Sequence, residues 1–360
     1  MIDVIAGGSA AGPGWTAKTL LRATLSDIAR EAGVSSATVD RVVNNRGGVR
    51  SLTRDHVMGV AERLGYFSDT PAPSDGPERR FVRLAFLLPA GTNAFIRMLQ
   101  TEIEQQARLL FAVECRVETI EGFDPQLLAR RLVAMDDRID GVGIVALDHP
   151  VVREAIRALA LRGTRIVTLA SDIQNVPRVA YIGTDNRQAG RLAGYLMGRF
   201  LGAQTAGKVA LFAGSLSYRG HQEREMGFRQ ILHEEFPGLQ IVELREVLDD
   251  RDTAYREAIA LLDKHPDLTA IYNVGGATSG IARAVKSRGM DGRVVLIAHD
   301  ATEGNKALLL DGTLDAVIDQ NAKAEAREAL ATLVASVRGG THAPLPPRLQ
   351  AIFRENLPEE

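Results

Sequence analysis

Two spacings of apolar residues divide the chain. Between residues 24 and 67 they recur every three or four positions, and from Phe81 onward they gather in short runs. In the first part Leu25, Ile28, Ala29 and Ala32 form one helical stripe. Thr24 and Asp27 set a capping-box pattern ahead of it, and Gly33 stands where the helix should stop. Ser35 can cap a second helix, whose Val39, Val42 and Val43 point inward while Ser36, Ala37, Asp40, Arg41 and Asn44 point outward. So short a helix is not stable alone and needs its neighbours. Thr53 opens a third helix with Val57, Val60, Ala61 and Leu64 as its buried stripe and Gly65 as its stop.

From residue 81 the pattern changes to strands alternating with helices. The runs 81–89, 115–120, 141–147, 165–170, 179–183, 208–214, 270–275 and 294–300 read as strands. Helices are predicted at about 95–110, 125–135, 186–202, 222–234, 252–264 and 278–288. Near-continuous apolar strands with intervening helices imply parallel sheets covered on both faces. The series runs twice, with a break near residues 184–207, which predicts two Rossmann-like lobes behind a small all-α headpiece.

The outer face of the second helix carries small polar residues and one arginine. Small side chains allow close approach to a groove, and an arginine can pair bidentately with guanine. Spacing alone also fits a plain three-helix bundle. The wording goes further: TLSDIAREAGVSSATVDRVVN, then Val49, Thr53 and Arg54, then Leu64 to Tyr66 closely resembles the lac repressor family of transcription regulators over about forty residues. That resemblance puts Ser36, Ala37 and Arg41 on base-reading positions. It puts Ser35, Thr38, Asn44 and Thr53 on positions that touch phosphate or fix helix ends.

Two features depart from the family. Asp40 stands where it usually has Ser, and is expected to pair with Arg41 or Arg46 or to accept from a cytosine amino group. Beyond the headpiece, Pro71, Pro73, Gly76 and Pro77 disfavour the family's hinge helix.

Composition changes the picture little. A 360-residue chain suits two or three domains, and 45% hydrophobic and 24% charged residues are those of a globular protein. Net charge is −2, and residues 24–67 hold six Arg against five acids, so a second copy is needed for useful DNA affinity. The single cysteine, Cys115, excludes an internal disulfide and fits a reducing cytoplasm. No run has the apolar length of a membrane span, and residues 1–23 read as a flexible extension rather than a secretory leader.

The body, residues 81–345, resembles the type I periplasmic sugar-binding fold through IGTDN at 182–186, EREMGF at 223–228, and the strings at 299–300 and 318–321. The resemblance implies three crossings between lobes, with 81–184 and 317–345 in the first lobe and 185–316 in the second. Outside it, residues 68–80 are read as a linker and 346–360 as a tail. Ligands bind at the carboxyl ends of such strands. There Asn93 could bond a sugar hydroxyl and Phe95 stack on a ring face. Asp148 and Asp172 follow the third and fourth strands, and Asp172 matches a sugar-binding Asp of the family. Arg224 matches a ligand-binding Arg, preceded by His221 and Gln222. Asp300 ends a second-lobe strand, and Gln320 follows the last crossing. Gly275 and Gly276 stand where sugar binders often carry Asn-Asp. The glycine-rich string 275–280 reads as a strand-to-helix turn near the cleft. Asp185 is expected to cap a helix.

Neither catalytic nor metal-ligand spacing appears, so no enzyme, metal site or cofactor is expected. The expectation is a cytoplasmic, homodimeric regulator that binds double-stranded operator DNA. Its effector is a small carbohydrate or polyol between the lobes. The alternative is a sugar-binding protein serving transport or sensing without DNA binding.

Overall fold

The computed structural model describes residues 24–43, 49, 51–63, 80–121, 123–202 and 205–358. The N-terminal extension, Asn44, Arg46, Leu64, Gly65 and the linker up to residue 79 lie outside them. The chain divides into two compact units, Met1–Gly76 and Pro77–Glu360.

In the first unit α1 (Leu25–Ala32) starts at a reciprocal cap. Asp27 N donates to Thr24 Oγ1 at 3.3 Å, and Thr24 N donates to Asp27 Oδ2 at 3.0 Å. It ends at Gly33 with φ 66°, a left-handed conformation that glycine adopts freely. The second helix, α2 (Ser36–Val43), is preceded by Ser35, whose hydroxyl accepts from Thr38 N at 3.2 Å. The third, α3 (Ser51–Arg63), starts two residues earlier than the pattern suggests. Ile28, Ala29, Ala32, Val39, Val42, Val57, Val60 and Ala61 close one core, so each short helix is held by the other two.

The second unit begins with β1 (Val82–Pro89), α4 (Ala94–Ala107), β2 (Val113–Ile120), α5 (Pro125–Val133), β3 (Gly141–Ile144), α6 (Pro150–Leu161), β4 (Arg165–Leu169) and β5 (Ala180–Ile182). These strands form a parallel sheet in the order β2-β1-β3-β4-β5. Next come α7 (Asn186–Leu201), β6 (Gly207–Ala213), α8 (Arg219–Glu235), β7 (Leu239–Glu246), α9 (Arg251–Lys264), β8 (Leu268–Asn273), α10 (Thr278–Ser287), β9 (Val295–His299), α11 (Glu303–Leu310) and β10 (Ala316–Asp319). After α12 (Ala322–Val337), β11 (Gln350–Ile352) closes the second sheet, ordered β11-β10-β9-β8-β6-β7 with β11 antiparallel. This is the architecture of type I periplasmic binding proteins: two α/β lobes, each sheet covered on both faces. Strands such as β1 and β3 are buried almost throughout, which is why they read as apolar runs.

The path between lobes differs from the expectation in two places. β10 pairs with β9 in the second sheet, so the second crossing falls at Gln320–Asn321 and not at residue 317. Helix α12 then packs on the first lobe, adding Ala326, Ala329, Leu330 and Leu333 to its core. The stretch read as a tail contains β11 and returns to the second lobe. Cys115 is half-buried in β2, and burial pushes its thiol up to about 12. Among the described residues, no helix is long and apolar enough to cross a membrane.

Candidate functional site

The carboxyl ends of both sheets converge on one cleft between the lobes. Its space is about 480 Å³, walled by Asn93, Phe95, Ser171, Tyr218, His221, Arg224, Asp249, Gly275, Asp300 and Gln320 among others. That size suits a small ligand. Six of the eight non-glycine residues with positive φ among the described residues sit on the loops that follow these strands: Ala170, Leu248, Asp249, Ala277, Asp300 and Asn321. Strained backbone of this kind gathers where side chains must be aimed at a ligand.

Arg224 shows how the aim is achieved. It is only 4% exposed; its Nε donates to Asn186 Oδ1 at 2.7 Å and its Nη1 to Val274 O at 2.9 Å. Asn186, the first residue of α7, is itself held through Nδ2 to Tyr181 Oη at 3.1 Å. Helices α7 and α8 touch backbone to backbone: a Cβ on Gly190 would lie 1.9 Å from Arg224 O, and one on Gly227 would lie 2.1 Å from Arg187 O. The two glycines let α8 approach closely enough for Arg224 to reach the cleft. Phe228, next in the R-x-x-G-F string, stacks on Tyr272 at 4.6 Å, and Tyr272 Oη meets His299 Nε2 at 2.7 Å.

Asp300 follows β9 directly, with φ 69°, and accepts from Gln320 Nε2 at 2.8 Å. Burial pushes its carboxyl up to about 7, against the opposing pull of Arg224. Glu325, in the first turn of α12, is wholly buried, and neither carboxyl oxygen has a hydrogen-bond partner. Burial, with Asp300 nearby, raises it well above the ordinary glutamate value. His221 is held below its usual value, chiefly by burial, and its Nδ1 lies 2.8 Å from Ser215 O.

Seven of the ten sequence-derived cleft residues are brought together: Asn93, Phe95, His221, Arg224, Gly275, Asp300 and Gln320. Three are turned elsewhere. Asp148 pairs with Arg153, and Asp172 accepts from Thr168 Oγ1 and Arg178 Nη2, both at 2.7 Å. Gln222 is exposed and donates to Leu216 O at 2.6 Å. In place of Asp172 its neighbour Ser171 lines the cleft, bringing no charge but accepting from Gly220 N across the lobes at 3.1 Å. Asp185 caps α7 as expected, accepting from Gln188 N at 2.9 Å.

Sequence reasoning missed Asp249, which follows the unforeseen strand β7. Its Oδ1 accepts from Gly276 N at 2.7 Å, and its Oδ2 from Asn93 Nδ2 at 2.8 Å. A Cβ on Gly275 would come within 2.9 Å of Oδ1. The glycines at 275 and 276 thus make room for a carboxylate from the loop after β7, on the far side of β6 in the sheet. The paired acids at 249–250, ending an otherwise alternating segment, were the available signal.

On the headpiece, Ser35 is exposed just ahead of α2 and Ser36, Ala37 and Arg41 along it, Thr38 is half-buried with its hydroxyl 2.9 Å from that of Ser35, and Thr53 lies half-buried in the first turn of α3. Asn44 falls outside the described residues.

A model of bacterial regulatory proteins of the lacI family matches residues 24–69, and one of the periplasmic binding protein domain matches residues 84–341. The chain belongs to the lacI family. This lacI-family chain is 27% identical over 259 residues to the HTH-type transcriptional regulator DegA of Bacillus subtilis, covering 70% of the chain and 73% of the relative. It is 30% identical over 172 residues to the HTH-type transcriptional regulator pepR1 of Lactobacillus delbrueckii subsp. lactis, and there it spans about half of either protein, 46% and 48%. Such relatives are regulators and not enzymes. Among solved structures, a glucose-galactose binding protein from Geobacillus stearothermophilus superposes with a TM-score of 0.70 at 24% identity, over 78% of this chain and all of that one. At that identity the likeness concerns the fold of the lacI-family body alone.

Proposed function

We propose that the chain is a transcription regulator. Helix α2 reads operator DNA, and a small carbohydrate or polyol between the lobes sets the operator affinity. The observation that carries this reading is the pairing within one chain of a lacI-type headpiece, with Ser36, Ala37 and Arg41 outward, and a cleft walled by Arg224, Asp249, Asp300 and Gln320 beside Phe95. Charged groups strengthen hydrogen bonds to vicinal hydroxyls, and an aromatic face suits the apolar side of a sugar ring. The headpiece reads one half-site, so the working form is a homodimer on a pseudo-palindrome in the cytoplasm. An effector shifts operator affinity only by its differential affinity for two states of the body.

The test is fluorescence anisotropy with operator-sized DNA from the chain's own upstream region at moderate salt, with and without a panel of sugars. Sequence-specific binding that a sugar alters is the expected result. Absence of specific binding under all conditions sinks the regulatory reading. A sugar-binding body whose ligands never change DNA affinity favours the role of a sensor or transport protein.

A further inference from the structure

We propose that the effector is anionic: a small sugar or polyol carrying a phosphate, with the phosphate seated in a second chamber that opens off the carbohydrate cleft. The proposal rests on the carbohydrate reading above and specifies its chemistry.

The second chamber has a space of about 700 Å³ and shares Asn93, Phe95, Gly275 and Asp300 with the first, so one ligand can occupy both. Its other walls differ in character. Two arginines line it, one from each lobe: Arg97 on α4 and Arg251 at the start of α9. Both are exposed, and among the described residues neither meets a carboxylate. The one hydrogen bond of Arg97 is a long 3.5 Å approach to Gly91 O. Elsewhere in the body arginines at the surface are commonly paired, as Arg288 with Asp263 and Arg131 with Glu118. Two arginines without a carboxylate partner, one from each lobe at the wall of the same cavity, suit an anion.

The glycine-rich turn at 275–280 supplies the second half. It leads into α10 through Ala277, which has φ 62° and offers no side-chain cap. The neighbouring helices at this chamber are capped by their own side chains: α4 by Asn93, α9 by Asp250, α11 by Thr302. Thr278 and Ser279, the first residues of α10, line the chamber, so the uncapped N-terminal turn of the helix borders it. A third, independent feature is His299, which lines the same chamber while 2% exposed, and whose Nδ1 has no hydrogen-bond partner. Burial keeps the ring neutral. When Nε2 accepts the Tyr272 proton, Nδ1 carries the hydrogen, and the backbone of Ile318 stands beside the ring.

Asp300 is the one acidic side chain of the wall; the Asp249 carboxylate lies behind it, tied to Gly276 N and Asn93 Nδ2. Gln320 holds it at the inner chamber, and its raised carboxyl is in good part protonated at neutral pH, so it does not set a full negative charge against the anion.

The experiment is titration calorimetry of the full chain with inorganic phosphate and with matched pairs: glucose and glucose 6-phosphate, ribose and ribose 5-phosphate, sorbitol and sorbitol 6-phosphate. The expected result is that in at least one pair the phosphorylated member binds about ten-fold tighter or more at low salt. Inorganic phosphate should compete with it. The double variant Arg97→Ala, Arg251→Ala should abolish the preference while leaving the neutral member's affinity and the melting temperature unchanged, and Arg251→Lys should restore part of it. Equal or tighter binding of the neutral members, or a preference that survives the double variant, overturns the anionic effector and leaves the carbohydrate reading standing. If no member of any pair binds, both fall.

Discussion

Asn93 and Asp249 belong to different lobes, and their side chains meet across the cleft at 2.8 Å. Thr92 Oγ1 reinforces the bridge by donating to Asp249 O at 2.6 Å. Two more bonds cross the cleft, Gly220 N to Ser171 Oγ at 3.1 Å and Asp148 N to Ser217 O at 3.0 Å. The lobes are thus latched together, and the latch uses residues that also wall the cleft. Breaking it should change closure and ligand affinity together. Asp249→Ala removes a bond to a charged group, which contributes about 1.5–3 kcal/mol to the closed form. Small-angle scattering should find a larger radius of gyration for this variant without ligand; an unchanged radius refutes the latch. Asn93→Ala should additionally lower the melting temperature, because Asn93 Oδ1 caps α4.

The raised carboxyl of Asp300 gives stability a defined pH dependence. Its folded value of about 7 lies above the ordinary 3.8, so between the two the folded chain holds more protons than the unfolded one. This group therefore contributes a loss of stability as pH rises from about 4 to about 7, level above that. Within that window the loss approaches about 1.4 kcal/mol for each step of one in pH. Denaturant titrations across that range should give a shallower fall for Asp300→Asn than for the natural chain. Parallel curves count against the assignment.

Glu325 is a buried acid with no partner for either oxygen. An apolar side chain of similar volume removes that desolvation penalty, so Glu325→Met should gain about 1–3 kcal/mol. The gain should grow with pH, since its raised carboxyl acts in the same direction as that of Asp300. A lower melting temperature would mean the acid has a role that the static packing does not supply.

Gly190→Ala tests the route by which Arg224 is aimed. The added methyl collides with the backbone of Arg224 at 1.9 Å, and overpacking of this kind typically costs about 1–3 kcal/mol. Since α8 must retreat, ligand affinity should fall further than stability alone explains. Calorimetry on the folded variant at low temperature separates the two.

On the headpiece, Arg41→Ala should reduce specific DNA binding by about 1–3 kcal/mol and relax preference at one base pair, with no change in the melting of the body. A uniform loss across all DNA sequences would instead mark Arg41 as a phosphate contact.

Much of this was legible because burial leaves strong traces. The stripe of α1 and the runs of β1, β6 and β9 are apolar for the same reason they are recognisable: each is buried on one or both faces. Arg224 and Asp300 were readable through their strings and strand ends. Strand β7 was not, because it lies at the sheet edge and its half-buried alternation LQIVELRE looks like surface. Losing β7 hid Asp249, the acid that spans the cleft. Asp172 was misplaced for a different reason. Ala170 takes φ 54° two residues before it, and the charge of Arg178 draws the carboxylate back against the first lobe. No sequence spacing encodes that turn.

Helix α12 lies between two strands of the second sheet in the chain, yet it completes the core of the first lobe. The first lobe, although its strands are made first, therefore has no finished interior until a ribosome has passed Val337. Synthesis order and assembly order are uncoupled: the first lobe waits for α12, and the second sheet for β11, which is made later still. A chain cut short before α12 leaves an open apolar sheet for chaperones or proteases to find.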